Sequence, residues 1–185
     1  MAKLITFNFI TLNGFYKGPQ EDTSWHRHGQ EEAEFAAGSM EENKGILLFG
    51  RKTYESMASW WPSPMALETM PEVAAGMNRS EKIVFSKTLQ SADWENTTLI
   101  KGDLIIEIRR LKETLTKDLV VLGSGSLITQ LADARLIDYY QIMIDPVALG
   151  DGTPFFNGLK NKLDLKLVQS KVFKSGVVLL GYTPL

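Results

Sequence analysis

No cysteine occurs among the 185 residues. That excludes thiol nucleophiles, cysteine-ligated zinc and disulfide frameworks, and it is compatible with a reducing compartment. Histidine is scarce too: the chain has 2, and without a third ligand they make a poor metal site, so no metal is expected. Apolar runs are short. None approaches the roughly 20 residues needed to cross a bilayer, and residues 1–9 alternate in hydrophobicity without a signal-peptide pattern. A cytoplasmic protein with no membrane partner is expected. The formal net charge of -2 leaves little field for a nucleic-acid partner, while a local basic pocket for a small anion stays compatible with it.

What is present is alternation. Apolar runs at 4–10, 46–49, 83–85, 98–100 and 119–122 read as strands, and 31–42, 52–59, 71–77 and 103–115 read as helices or helical turns. This β-α-β order calls for a largely parallel sheet with helices on both faces and ligands at the strand carboxyl ends. The last third differs. Residues 139–146 are strand-like, and 163–173 and 177–183 flank Lys174, Ser175 and Gly176 as a closing antiparallel hairpin. The fold class is therefore α/β, a three-layer arrangement with a mixed, mostly parallel central sheet. One domain over 1–185 is long enough to bury its own core. Residues 60–69, with Trp61, Pro62, Ser63 and Pro64, are expected to form a surface loop.

Three strand ends carry residues suited to phosphates. Val120, Val121 and Leu122 run into Gly123, Ser124, Gly125, Ser126 and Leu127. Glycines there allow a tight turn into a helix whose first amides and positive dipole end could receive a diphosphate. An ordinary strand-to-helix turn with a serine cap is the other account. At the second junction, Phe49 is followed by Gly50, Arg51, Lys52 and Thr53. Cations are disfavoured at a helix start, so their presence points to an anionic ligand. The third is Ser86, Lys87 and Thr88, read either as a monophosphate holder or as a surface turn. Several phosphates on one extended ligand fit a nicotinamide dinucleotide with an extra 2′-phosphate, because cations rather than an acid wait for the ribose. There is no Walker sequence, which argues against a nucleotide kinase.

Taken in order, these residues resemble the dihydrofolate reductase superfamily, especially the branch related to the reductase domain of bacterial riboflavin biosynthesis (RibD C-terminal-like). The resemblance runs from Thr11, Leu12, Asn13, Gly14 and Phe15, through Gly50 to Glu55, Ser86 to Thr88 and Gly123 to Leu127. It ends in Pro146 to Phe156, with Leu149, Gly150, Asp151 and Gly152. It implies a dihydrofolate-reductase-like fold and an NADPH cofactor bound by the Gly50 and Gly123 junctions. Arg51, Lys52, Ser86 and Lys87 would contact the adenosine-side phosphates. The implied chemistry is hydride transfer to a small heterocyclic or sugar-linked substrate, such as 5-amino-6-(5-phosphoribosylamino)uracil or dihydrofolate, in a homodimer. An NADPH-binding protein of the same fold without turnover is the alternative.

Hydride transfer also needs a proton source. Glu34 stands at the spacing of the acid in many folate reductases, and is otherwise part of a solvated face with Glu31, Glu41 and Glu42. Asn13 is the second candidate, able only to orient or polarise. Leu122 departs from the acid that precedes the glycine pair in riboflavin-pathway relatives. His26 and His28, around Arg27, are expected in an exposed loop, with contact to a substrate's phosphate or carboxylate as the alternative. Trp25, Trp60 and Trp61 are either walls for a planar ring or core and dimer contacts, and residues 149–152 are a structural turn.

Overall fold

Strand runs rich in β-branched and aromatic residues form one large sheet, in the computed structural model that describes the chain except His28, Lys44 and the side chains of residues 39–43. The elements in chain order begin with β1 (Leu4–Thr11), β2 (Phe15–Lys17), α1 (Gln30–Asn43), β3 (Ile46–Gly50) and α2 (Arg51–Trp60). Next are α3 (Pro64–Thr69), α4 (Pro71–Arg79), β4 (Lys82–Phe85), β5 (Thr97–Ile100), α5 (Leu104–Thr114), β6 (Leu119–Leu122) and α6 (Gly125–Asp133). The last are β7 (Tyr139–Asp145), β8 (Thr153–Pro154), β9 (Leu165–Val172) and β10 (Val178–Pro184).

The sheet order is β5-β4-β3-β6-β1-β7-β10-β9. Neighbours from β5 to β7 run parallel, and the β9–β10 hairpin closes the sheet antiparallel at the β7 edge. This is the mixed three-layer α/β fold that the strand and helix periods require. Period-2 alternation divides the layers: Leu48 and Val121 face the α5–α6 side with Ile108 and Ile128, whereas Leu47 and Phe49 face Tyr54, Val73 and Met77 of α2 and α4. Phe35 of α1 packs edge-on against Phe173 and tilted against Phe7, so α1 is fastened to both β1 and the hairpin. Residues such as Leu4, Leu48, Phe49 and Val121 have no exposure, and each contributes about 1.5–3 kcal/mol of burial.

Residues 60–69 depart from the expected loop. Ser63 accepts a hydrogen bond from the Ala66 amide and Pro64 occupies the first helical turn, so the serine and proline start α3 rather than break a helix. The pairing of β2 with β8 was also not expected; it draws residues 15–17 against residues 153–154. Gly152 permits this closeness, because a Cβ there would lie 2.3 Å from the Lys17 carbonyl oxygen.

Lys82 is 1% exposed and donates to the carbonyls of Met77, Asn78 and Ser80 at 2.9, 3.0 and 2.6 Å, with the Trp94 ring 4.4 Å away. A buried ammonium thus closes the carboxyl end of α4, where cations belong. Lys82→Met is expected to cost about 2–3 kcal/mol in denaturant unfolding, since it leaves these carbonyls short of a donor. Burial pulls the ammonium down to about 8 from its ordinary 10.5. Between those values the unfolded chain holds a proton that the folded chain has released, so stability should rise with pH across that window. The rise should be absent in Lys82→Met.

Candidate functional site

The carboxyl ends of β3 and β6 are joined by side chains of the helices that follow them. The Gly50 amide donates to Ser124 Oγ at 2.9 Å, and the Ser124 amide donates to Thr53 Oγ1 at 3.2 Å. Gly123 and Ser124 both adopt left-handed backbone, with φ of 58° and 52°. Glycine suits the first; the second is a serine held there by the two bonds just named. Asn8 of β1 donates from Nδ2 to the Gly123 carbonyl at 3.0 Å, so three neighbouring strands hold one turn.

Beside this turn is a cavity of about 520 Å³. Its floor is Phe7, Asn8 and Phe9 of β1 with Leu122 and Gly123; its walls include Glu32, Ala33 and Ala36 of α1, Thr53 and Met57 of α2, and Val73 and Met77 of α4. Tyr16, Lys17, Glu21, Trp25 and His26 complete it from the segment after β1. Most of this lining is apolar or aromatic, as in sites that take small organic ligands.

Gly125, at the start of α6, lies against the ring and hydroxyl of Tyr16. Burial first, then the Glu21 charge, raises the Tyr16 phenol above its ordinary value. Lys17 pairs with Glu21, and Lys52 approaches the same carboxylate at 3.3 Å. The hydrogen bond from Lys17 leads the causes that hold Glu21 low. Two cations and a helix start therefore already surround acceptor oxygens of this chain. Behind His26, Asp145 is fully buried; it shares a hydrogen bond with His26 Nδ1 at 2.8 Å and accepts from the Arg27 amide at 2.8 Å. The His26 ring also lies on Phe9, with centroids 3.9 Å apart.

The structure brings some of the expected site residues together and separates others. Lys52, Thr53 and Gly123 line the cavity, while Gly50 and Ser124 bind each other beneath it. Gly125 touches Tyr16, Ser126 is exposed, and Leu127 is core. Arg51 is exposed and pairs with Glu55 at 3.1 Å. Ser86, Lys87 and Thr88 follow β4, with the Ser86 hydroxyl accepting from the Thr88 and Leu89 amides as in an ordinary turn. Lys87 is exposed.

The two expected catalytic residues lie outside the cavity lining. Glu34 is exposed, accepts from Gln30 at 2.9 Å, and lines a different groove of about 860 Å³ with Gly45, Glu81 and Lys117, near the amino ends of the strands. Helical rotation explains this: Glu32, two positions earlier, turns inward and is 4% exposed, bonded by the Ser175 hydroxyl. Asn13 is exposed and clamps residue 149, donating to the Leu149 carbonyl at 2.7 Å and accepting from its amide at 3.2 Å. His26 is not in an exposed loop either; its side chain is 7% exposed because Asp145 and Phe9 hold it. His28, and the side chains of Glu41 and Glu42, lie outside the described residues. Trp25 and Trp61 line the cavity, and Trp60 stands 39% exposed away from it. Tyr16, Glu32 and Asp145 carried no local signal, although Asp145 is an acid at the end of an apolar strand. Among the described residues no three His, Asp or Glu side chains could hold a metal, and no helix is long and apolar enough to cross a membrane.

Fold and site define a three-layer α/β domain with glycine-led helix starts beside an apolar cavity. The chain belongs to the RibD C-terminal domain family, which matches residues 2–179. It is 29% identical over 173 residues to the uncharacterized protein YyaP of Bacillus subtilis, covering 94% of this chain and 90% of that one. A second uncharacterized protein of that organism, YwjB, is 24% identical over 178 residues, covering 96% and 95%. In fold it is similar to a putative riboflavin biosynthesis protein from Shewanella, with a TM-score of 0.75 at 22% identity over 100% and 99% of the two chains. It is also similar to a diaminohydroxyphosphoribosylaminopyrimidine deaminase/5-amino-6-(5-phosphoribosylamino)uracil reductase from Thermotoga maritima. There the TM-score is 0.69 at 15% identity, over 100% of this chain and 57% of that one.

A Cβ on Gly125 would lie 2.7 Å from the Tyr16 ring. Gly125→Ala is therefore expected to displace the phenol and cost about 1–3 kcal/mol in chemical denaturation. The cost should shrink in a Tyr16→Ala background, where the double-mutant cycle removes the clash.

Proposed function

We propose that the protein is an NADPH-dependent reductase that transfers hydride to a small heterocyclic substrate. The observation that carries this reading is the anion-ready end of the cavity: Gly125 at the start of α6 and the Lys17 and Lys52 ammonium groups, gathered around Tyr16 and Glu21. Phosphate oxygens suit the places these oxygens now hold. A second observation agrees. Asn8 Oδ1 is buried without a hydrogen-bond partner, next to the Gly123 turn, and a carboxamide N–H is the donor it lacks. The residues present thus fit the dinucleotide.

In this reading Gly123 and Gly125 let phosphates approach the backbone, and Lys17 and Lys52 neutralise them. Arg51 and Lys87, exposed at neighbouring strand ends, select the 2′-phosphate. Bound NADPH supplies the hydride. The chain's own part is to hold a flat ring against Phe7, Phe9, Trp25 and Trp61, to exclude water with that lining, and to deliver a proton. The family relationship supports a substrate resembling 5-amino-6-(5-phosphoribosylamino)uracil or dihydrofolate. Leu122, 9% exposed on the cavity floor, makes the contact beside Gly123 apolar.

Trp25 and Trp61 make binding readable by fluorescence. NADPH should quench tryptophan emission by energy transfer and, at 100 times its dissociation constant, stabilise the fold by about 2.7 kcal/mol; the absence of both responses would reject the reading. Replacing Arg51 and Lys87 together by Ala should weaken NADPH binding and narrow its preference over NADH. An unchanged ratio would move the 2′-phosphate elsewhere. Turnover is tested by NADPH oxidation against dihydrofolate, pteridines, flavin precursors and aldehydes.

The apolar edge at β9 supports a homodimer in the same reading, since Leu167, Val168 and Val172 are 51%, 52% and 72% exposed there. Light scattering should give the mass of two 20.7 kDa chains, and Val172→Glu should reduce it to one.

A further inference from the structure

Two indoles line the cavity, and neither has a hydrogen bond left to give. Trp61 Nε1 donates to Met57 Sδ at 3.0 Å, and Trp25 Nε1 donates to the Asp22 carbonyl at 3.2 Å. What remains to them is apolar contact. Met57, Met70 and Met77 add unbranched, adaptable surface, and Leu122 adds more from the floor. Such a lining suits a flat apolar ring.

Charge is the second constraint. Among the described residues the cations of the lining are Lys17 and Lys52, and both already pair with Glu21. In the reductase reading they go to the phosphates of the dinucleotide. The acids of the lining are Glu21, Glu32 and Glu55. Glu32 is 4% exposed, and Asn8 Oδ1 is a buried acceptor without a partner, so the interior presents oxygens where an anion needs donors. The mouth has the same bias: the exposed charged side chains there are Glu21, Glu55 and Lys52, the last already beside Glu21 at 3.3 Å.

We infer that the ligand seated beside the dinucleotide is a flat ring bearing neither phosphate nor carboxylate, and that Glu32 and Glu55 are the residues that turn anionic relatives away. This names the substrate class of the reductase reading and rests on that reading. It keeps a pyrimidine or pteridine ring and excludes a phosphoribosyl or glutamyl tail. A phosphate brings about 1.5–2 negative charges at neutral pH, and burying these without a cation, beside acids, costs more than ring contacts return. Discrimination of this kind comes from repulsion of the wrong ligand as much as from attraction of the right one.

Matched pairs read the charge alone: 2-naphthol and 2-naphthyl phosphate, pterin and pterin-6-carboxylate, riboflavin and riboflavin 5′-phosphate. Dissociation constants are measured by calorimetry on the intact protein with saturating NADP⁺, which fills the lysine end, and again without it. At least one neutral member should bind, and its anionic twin should bind at least about 10-fold more weakly. In about 1 M salt, where the Debye length is about 3 Å, the gap should narrow. Ser56→Lys, at an exposed lining position of α2, adds a cation to the mouth and should strengthen the anionic twin alone. Glu32→Gln combined with Glu55→Gln should act in the same direction, the new amide oxygen at 32 still accepting from Ser175. An anionic twin that binds wild type as tightly as its neutral partner overturns the inference. So does a gap unmoved by salt and by both variants, or a failure of all three neutral members to bind. Absence of NADPH and NADP⁺ binding would instead count against the reductase reading, while the pairs measured without cofactor still report on the lining.

Discussion

Everything at the functional end of this molecule depends on the reciprocal hydrogen bonds between the Gly50 and Ser124 turns. Ser124 accepts from the Gly50 amide and donates its own amide to Thr53, so two helices begin at a fixed separation over adjacent strands. A helix start has amides without internal acceptors, and two such starts held together make a surface where negative charge is favoured. The cost is a left-handed serine beside a left-handed glycine. That strain persists because Thr53, Gly50 and Asn8 fix the turn from three strands.

Charge is sorted along the cavity in consequence. Lys17, Lys52 and the α6 start gather at one end around Glu21 and Tyr16, whereas the middle is walled by Phe7, Phe9, Trp25 and Trp61. The lining also includes Glu32 and His26, the latter paired with buried Asp145 behind it. A ligand with an anionic portion and a flat apolar portion matches this division better than a uniformly charged one. The hairpin takes part as well: Ser175, in the turn between β9 and β10, bonds Glu32, and the Lys174 amide donates to Glu31 at 3.0 Å. The antiparallel edge thereby sets the start of α1, and α1 sets one wall of the cavity.

Legibility in the sequence followed the range of the physics involved. Runs such as Ile46 to Phe49 and Leu119 to Leu122 declared themselves as strands because burial on both faces of a parallel sheet needs continuous apolar residues. The helix starts at Gly50 and Gly123 were readable because glycine, cation and hydroxyl fall within a few positions of one another. Short cues misled at Ser63 and Pro64, where the same residue types serve a loop or a helix cap and only the Ala66 amide decides between them. Glu34 shows the limit of spacing arguments. In a helix two residues turn the side chain through more than half a circle, so Glu32 points to the cavity and Glu34 to another groove.

The sequence by itself determined the alternating architecture, the antiparallel close and the glycine-led helix starts, since each is a local matter of period and backbone freedom. Tertiary structure alone decided the partners. His26 and Asp145 are 119 positions apart and share no local pattern; they meet because β1 pairs with β7, bringing Asp145 opposite Thr11 at the cavity end of the sheet. Tyr16 reaches Gly125 only because β2 pairs with β8. Such contacts depend on sheet order and register, and these emerge from the packing of the whole chain.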